Sequence, residues 1–307
     1  MSHPSASSPS SPASSDTRPS MRRFVQLDVF CSEVLRGNPL AVVVDGEGLS
    51  EARMAEFARW TGLSETTFLL PPTDAAADYR VRIYTPGGEL PFAGHPTLGS
   101  CRAWLMHGGV PRQAGRVVQQ CGVGLVEVRL DGGTENGQPD GAGRLAFAAP
   151  PLRRSVVEPA LLGQVCAALG LAADEVLASS WLDNGPQWLG IRVASAARVR
   201  ELTPDHAALR HLAKVGVVGA APAGEETQFE VRGFAAPLGV NEDPVTGSLN
   251  ASLAQWLMAE GVAPPRYVAA QGTALGRAGR VHLERDAGGT VWVGGEVQEC
   301  IAGTVML

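Results

Sequence analysis

The chain has 307 residues, 45% of them hydrophobic and 18% charged, so it can bury large cores and is long enough for two domains of ordinary size. A net charge of −6 gives no reason to expect nucleic acid or an anionic membrane surface as a partner, and we expect a small-molecule substrate. No apolar run reaches the roughly 18 residues that a membrane span needs. Five widely spaced cysteines without a CxxC pair favour reduced thiols in a cytoplasmic protein over a disulfide framework or a zinc ribbon.

The first 20 residues are rich in serine and proline and have almost no apolar content. They cannot supply the apolar core of a secretory signal, and we predict that residues 1–20 form a disordered tail. A transit peptide is the alternative, because Arg18, Arg22 and Arg23 are present. No amphipathic apolar face accompanies these arginines.

The first half is predicted to be mostly β, with one long helix in its interior and a second helix earlier in the chain. Alternation of apolar and polar residues indicates the strands, and Ser50 and Gly62 are typical of the two ends of a helix. The predicted order is strands at 24–30 and 40–44, a helix at 51–60, strands at 67–70 and 79–85, a helix at about 96–107, and strands at 115–130 and 144–148.

The second half shows a similar pattern. The predicted order is a helix near 158–169, strands near 176–181, 187–193, 215–219 and 228–235, a helix at about 246–259, and strands to the C-terminus. We therefore expect an α+β protein with an N-terminal domain at 21–150 and a C-terminal domain at 151–307.

Three motifs of the first half recur in the same order in the second, roughly half the chain later. They are YRVRIYTP at 79–86 and FEVRGFAAP at 229–237, GNP at 37–39 and NGP at 184–186, and GLVEVRLD at 124–131 and GRVHLERD at 279–286. Chance similarity between β-rich halves is the alternative. A duplication predicts two similar units that face each other across a cleft.

Two loops, at residues 90–97 and 241–248, each lead into one of the long helices. The start of a helix carries unpaired N–H groups and a partial positive charge, so it suits a carboxylate. If the halves face each other, both helix starts point into one cleft, where the Ser248 hydroxyl can also bind an anion. A site role is favoured for His95, between Gly94 and Pro96, although a lone histidine is often structural.

Two carboxylates are further candidates. Glu65 precedes an apolar strand, where partial burial would raise its pKa toward the range that suits a general acid and base, although an ordinary surface position fits equally well. Near 215–218, the matching place in the second half, we find no acid or base. Asp243 is a site candidate, although Asp is also a common N-cap. Glu242 is expected to be solvated.

Neither a cofactor nor a metal ion is predicted. The sequence at 121–126 lacks the third glycine of a dinucleotide fingerprint, and no P-loop, HExxH or GxSxG motif occurs. The histidines show no spacing typical of a metal site.

Three segments resemble motifs of the phenazine-biosynthesis isomerase-like (PhzF-like) family: SETTF at 64–68, FAGHPTLG at 92–99 and EDPVTGS at 242–248. The resemblance runs in order from about residue 24 to the C-terminus. It implies the diaminopimelate epimerase-like fold, in which two pseudo-symmetric domains each wrap a β-barrel-like sheet around a central helix. The active site would lie between the domains, and a homodimer is expected because family members are commonly dimers.

The resemblance also implies roles for individual residues. Glu65 matches the family's catalytic acid/base, and the residues that match the lining of its substrate site are Gly94, His95, Asp243, Gly247 and Ser248. The family's type reaction is the isomerisation of trans-2,3-dihydro-3-hydroxyanthranilate. Related epimerases use two cysteines at the helix-start loops, but Ala93 and Pro244-Val245 occupy those places here, which disfavours two-thiol racemisation.

We therefore expect a cofactor-independent isomerase that acts on a small carboxylated substrate, such as an amino or hydroxy acid. Glu65 would transfer the proton, and His95 and Asp243 would orient the substrate and share protons with it. A dehydratase or lyase using the same base is one alternative, and a small-acid binding protein without catalysis is another.

Overall fold

The computed structural model describes residues 19–131, 134–135, 138–139 and 143–307. The first half contains β1 (Met21–Val29), β2 (Asn38–Val43), α1 (Glu51–Thr61), β3 (Thr66–Leu70), β4 (Tyr79–Thr85), β5 (Gly88–Leu90), α2 (Gly94–Met106), β6 (Arg116–Cys121), β7 (Gly124–Asp131), β8 (Thr134–Glu135), β9 (Gln138–Pro139) and β10 (Arg144–Ala148). The second half contains β11 (Arg153–Ser155), α3 (Pro159–Leu169), β12 (Ala178–Asp183), β13 (Gln187–Val193), α4 (Ala196–Arg200), α5 (His206–Leu209), β14 (Val215–Ala220), β15 (Phe229–Ala235), β16 (Val240–Asp243), α6 (Gly247–Ala259), β17 (Arg266–Gln271), β18 (Gly279–Arg285), β19 (Val291–Gly295) and β20 (Val297–Met306).

The order of strand pairing confirms the internal duplication. In the first half β2 pairs in parallel with β3, β3 antiparallel with β4, β4 in parallel with β6, and β6 antiparallel with β7. The second half repeats this order with β13, β14, β15, β17 and β18. Parallel pairs inside a mostly antiparallel sheet require crossover connections, so four matching pairings in one order indicate two copies of one unit.

The two halves share strands at two places. β10 pairs with β19, and the C-terminal strand β20 returns to pair with β1 along nearly its full length. The division at residue 150 stays a prediction, and a domain description of this chain must also account for β20, which is hydrogen-bonded to the first half.

The long helices α2 and α6 are the centres of the two halves. The first ten residues of α2, Gly94–Ala103, are all buried, and the helix lies against β1, β2, β3, β4, β6, β7 and β10. In α6, Leu249, Leu253 and Trp256 join the same apolar core. A helix that is buried nearly all round is built mainly from apolar and small residues, and both helices have this composition.

The surface helices begin and end where sequence signals indicate. Ser50 is the N-cap of α1 and accepts a hydrogen bond from the Arg53 amide, and Gly62 ends the helix with a φ of 67°. The helix packs on the outer side of β3 and β4. On the second half, α3 covers β13 and β14 through a separate core cluster that includes Val165, Leu169 and Ile191.

Most predicted elements are present, and the differences are local. The predicted strand region at 115–130 is the hairpin of β6 and β7, which Cys121 and Gly124 close. The short elements β5, β11, β16, α4 and α5 were not predicted, because they are too short to show periodicity. The predicted tail at 1–20 lies outside the described residues, apart from 19 and 20. Within the described ranges, no helix has the length and apolar character that a bilayer crossing requires.

Candidate active site

The starts of α2 and α6 touch each other at the junction of the two halves. A Cβ atom built on Gly247 would lie 3.2 Å from the Gly94 Cα and 3.4 Å from the His95 amide nitrogen. A Cβ on Gly94 would lie 2.7 Å from the Phe147 ring. The absence of side chains at both glycines therefore allows this contact. The N-terminal dipoles of two helices meet here, as predicted from the two loops, and make the junction favourable for an anion.

Glu65 lies on the short link between α1 and β3 and faces His95 in the first turn of α2. The Glu65 Oε2 and His95 Nε2 atoms are 3.4 Å apart, and their side chains are only 16% and 5% exposed. Within the described part of the chain, neither atom has a hydrogen-bond partner. Buried polar atoms are nearly always paired, so two unpaired ones that face each other mark a place for a polar ligand. The surface alternative for Glu65 is wrong.

Burial changes the protonation of this pair. Burial first, and then the charge of Asp243, raise the pKa of Glu65 to about 8. Burial lowers the pKa of His95 to about 3, so its imidazole is neutral near pH 7. The close contact between the two side chains is therefore a contact of neutral groups at this pH rather than an ion pair.

Asp243, the last residue of β16, completes the buried group. One carboxylate oxygen accepts a hydrogen bond of 2.9 Å from Asn38 Nδ2, and the other accepts one of 2.7 Å from the Thr246 hydroxyl. Burial raises the pKa of Asp243 to about 6, although these two hydrogen bonds oppose the shift. The N-cap of α6 is Thr246, so the interpretation of Asp243 as the N-cap is wrong.

The pKa values separate the roles of the two carboxyl groups. Asp243 has the lower pKa, so it ionises first, and its negative charge then disfavours ionisation of Glu65. At pH 7 the site therefore combines a charged Asp243, a neutral His95 and a largely protonated Glu65. A carboxyl group with a pKa near neutrality can both donate and accept a proton in one reaction cycle.

The sequence interpretation missed Asn38 and Gln271. Asn38 is fully buried at the start of β2, donates to Asp243 and to the Val245 carbonyl, and lies 3.4 Å from His95 Nδ1. The Gln271 side-chain oxygen accepts a hydrogen bond from the Thr246 amide, and its Nε2 donates one to the Asp243 carbonyl. These two bonds hold the loop before α6. Asn38 stands in the repeated GNP motif, which was the available signal.

Ser248 follows Gly247 at the start of α6 and is held by two residues of the second half. Its hydroxyl accepts a hydrogen bond of 3.2 Å from Trp188 Nε1, and its carbonyl accepts one of 3.0 Å from Asn184 Nδ2. Asn184 belongs to the NGP copy of the motif. The structure therefore brings all six predicted site residues to the junction of α2 and α6.

Glu242 was predicted to be solvated, and this prediction is wrong, because the side chain is buried. It forms a two-point ion pair with Arg232, at 2.9 and 2.7 Å, in which both side chains are 6% exposed. Arg232 also donates to the carbonyls of Val199 and Leu202. This buried network anchors the strand that carries Asp243.

We expect Glu242→Gln to lower the free energy of unfolding by about 3 kcal/mol, because it leaves the buried Arg232 charge without its counter-ion. Urea denaturation measures the change. The matched control is Glu226→Gln, which breaks the exposed pair with Arg280 and should cost less than about 1 kcal/mol. Equal effects of the two substitutions would contradict a structural role for the buried pair.

The pKa of Glu65 also predicts how stability varies with pH. The folded state keeps the Glu65 proton up to about pH 8, whereas an unfolded chain loses it near pH 4.5. The folded state thus binds more protons in this window, and this carboxyl makes the wild type less stable as the pH rises. Glutamine cannot ionise, so the melting temperature of Glu65→Gln relative to wild type should rise between pH 4.5 and 8 and then level off. A difference independent of pH would contradict the raised pKa.

Cys101, whose orientation the sequence left open, is fully buried in the core, where burial raises its pKa to about 12. Ala93 and the Pro244-Val245 pair occupy the helix-start positions. Within the described ranges, no group of three or more histidine, cysteine, aspartate or glutamate residues could hold a metal ion.

Comparisons with known proteins agree with this architecture. The family model of the phenazine biosynthesis-like proteins (PhzC-PhzF) matches residues 27–300. Among solved structures, a PhzF family protein from Bacillus anthracis superposes with a TM-score of 0.80 at 20% identity and covers 94% of this chain and all of that one. A hydroxyproline epimerase from Agrobacterium vitis superposes with a TM-score of 0.58 at 15% identity and covers 94% of this chain and 93% of that one. These likenesses confirm the pseudo-symmetric, diaminopimelate epimerase-like fold.

Two curated relatives cover most of the sequence. Antisense-enhancing sequence 1 of Schizosaccharomyces pombe is 36% identical over 91% of this chain and 97% of its own length. Trans-2,3-dihydro-3-hydroxyanthranilate isomerase of Pseudomonas aeruginosa is 34% identical over 88% of this chain and 92% of its own length. With the family model matched over residues 27–300, these relatives show that the chain belongs to the phenazine biosynthesis-like (PhzF-like) protein family.

Proposed function

We propose that the chain is a cofactor-independent isomerase that moves a proton within a small carboxylated substrate, with Glu65 as its acid and base. The observation that carries this proposal is the pair of buried, unpaired atoms, Glu65 Oε2 and His95 Nε2, at the contact of two helix starts. Family membership supports isomerase chemistry, since relatives of the chain are named isomerases.

The proposed reaction begins when ionised Glu65 removes a proton from a carbon beside the substrate's carboxylate. The starts of α2 and α6 and the Ser248 hydroxyl bind that carboxylate and stabilise the negative charge that develops on it. The electron pair left on that carbon forms a new C=C bond as an existing C=C bond of the substrate breaks, and Glu65, now protonated, returns the proton on the same face to the far carbon of the bond that breaks. Neutral His95 and charged Asp243 orient the substrate's polar groups.

The proposed substrate class is broader than the single substrate that the name of one relative gives. The P. aeruginosa relative acts, by its name, on trans-2,3-dihydro-3-hydroxyanthranilate, but the S. pombe relative has slightly higher identity and a name that states no reaction. We therefore propose an amino or hydroxy acid without choosing a member. Location in the cytoplasm and assembly as a homodimer stay predictions.

The test is incubation of the purified protein with a panel of small amino and hydroxy acids in D₂O, followed by mass spectrometry and proton NMR. The isomerase proposal expects deuterium at carbon and a product of the same composition as the substrate. A product lighter than the substrate by one water molecule would replace the isomerase proposal with a dehydratase. Binding of an acid by calorimetry without exchange of that acid would favour a binding protein.

A further inference from the structure

The register of the duplicated strands shows which residues correspond in the two halves. Thr66, the first residue of β3, lies opposite Tyr84 of β4. Val215, the first residue of β14, lies opposite Phe234 of β15. Tyr84 and Phe234 occupy the same position in the repeated motif at 79–86 and 229–237, so the first residues of β3 and β14 are equivalent.

The residues just before these strands are therefore equivalent too: Glu65 precedes β3 and Lys214 precedes β14. The expectation that the second half has no acid or base at this place is wrong. It considered residues 215–218 of the strand and did not include residue 214, which precedes them. Lys214 is also the only lysine among the 25 lysine and arginine residues of the chain.

Lys214 directly precedes β14, and the alternation of that strand, continued by one residue, puts its side chain on the face turned to α6. Alternate residues of a strand share a face, and a Cβ on Gly216, two residues later, would collide with Leu249 of α6. The Lys214 Nζ atom lies 5.0 Å from the centre of the Trp188 ring. That ring donates its Nε1 hydrogen to the Ser248 hydroxyl, so it connects Lys214 to the start of α6.

The charge of Lys214 is not neutralised by a close carboxylate. In residues 19–131 and 143–307 its Nζ has no ion pair and no hydrogen bond, although the side chain is partly buried. Burial lowers the pKa of Lys214, and the charge of Asp183, which itself pairs with Arg153 at 2.9 Å, opposes this shift. A partly buried ammonium without a carboxylate in direct contact favours the approach of an anion.

We propose that Lys214 binds the carboxylate of the substrate together with Ser248 and the start of α6, and thereby directs the reacting carbon toward Glu65. The duplicated position thus carries the proton-transferring acid in one half and the anion-binding cation in the other. This inference rests on the proposed function, because it assigns an orientation to the substrate of the same site.

Binding measurements test the proposal without any turnover. Anthranilate and aniline differ only in the carboxylate, and calorimetry compares their affinities for the wild type, Lys214→Met and Lys214→Arg. Loss of a charged hydrogen bond predicts about 10-fold weaker binding of anthranilate by Lys214→Met, with most of the affinity restored by Lys214→Arg and none of the aniline affinity changed. Equal anthranilate affinity in the wild type and Lys214→Met would overturn the proposal.

A second measurement uses the unsubstituted side chain. Reductive ¹³C-dimethylation labels the single lysine and the terminal amine and keeps their charge, and Lys214→Arg identifies the lysine resonance. Anthranilate should change the chemical shift of this resonance, and aniline should not. An unchanged chemical shift with both compounds would overturn the proposal. Failure of the proposed function has a different result: no carbon exchange in D₂O, with lysine-dependent binding of anthranilate intact.

Discussion

Glu65→Gln is expected to lower the rate of carbon–deuterium exchange by about 10³-fold, within the range for loss of a positioned general acid and base. Glutamine keeps the shape of the side chain but can neither take a proton from carbon nor return one. The rate is measured in D₂O by proton NMR with the acid that the wild type exchanges fastest. The buried position of Glu65, with an unpaired oxygen toward His95, is the reason for the large effect.

The pH profile of the wild type gives an independent readout. Proton removal needs ionised Glu65, and the pKa of this group is raised to about 8, so the exchange rate should rise with pH and level off above 8. The matched control is Glu47→Gln, which alters an exposed carboxylate in the loop after β2 and should leave both rate and profile unchanged. Exchange that survives Glu65→Gln would remove Glu65 from the mechanism.

Asp243→Asn is expected to lower the exchange rate by about 10²-fold and to change the pH profile in a defined direction. The negative charge of Asp243 raises the pKa of Glu65, so its removal lets Glu65 ionise at lower pH. The rising limb of the profile should therefore move below pH 8. An amide also cannot accept hydrogen bonds from both Asn38 and Thr246 through two oxygens, as the carboxylate does.

Asp174→Asn is the matched control for this substitution, because Asp174 is an exposed aspartate distant from α2 and α6 in sequence and outside the hydrogen-bond network of the site. It should change neither the rate nor the profile. An Asp243→Asn protein with reduced rate but an unmoved limb would show that Asp243 only positions other groups. An unchanged rate would remove Asp243 from the site's chemistry.

Much of the fold followed from local signals. Ser50 and Gly62 mark the ends of α1 because an N-cap acceptor and a residue that tolerates positive φ are needed at those two places. The bounds of β4 and β13 match the predicted strands: β4 alternates between buried and partly exposed residues, and β13 is an almost continuously buried run that follows a turn. The short strand β16 escaped prediction because its residues are typical of a loop and only its pairing with β15 makes it a strand.

The candidate site was predictable in its members but only partly in its physical character. The motifs around Glu65, His95 and Asp243 are recognisable from the sequence alone. Glu242 was expected in solvent, since nothing local indicates that Arg232, ten residues away, would meet it in a buried pair. The equivalence of Lys214 and Glu65 in the two halves depended on strand register, and the sequence comparison missed it by one residue.

The sequence by itself determined the duplication, the principal helices and strands, and the family, because these depend on periodicity, caps and motifs that lie within short stretches of chain. Only the tertiary structure decided that the two helix starts touch through Gly94 and Gly247, and that Asn38 of the first half bonds Asp243 of the second. It also decided the protonation of Glu65, whose pKa depends on burial and on a charge nearly 180 residues away in the chain. Burial and electrostatic coupling are properties of spatial neighbours, and sequence order alone does not specify them.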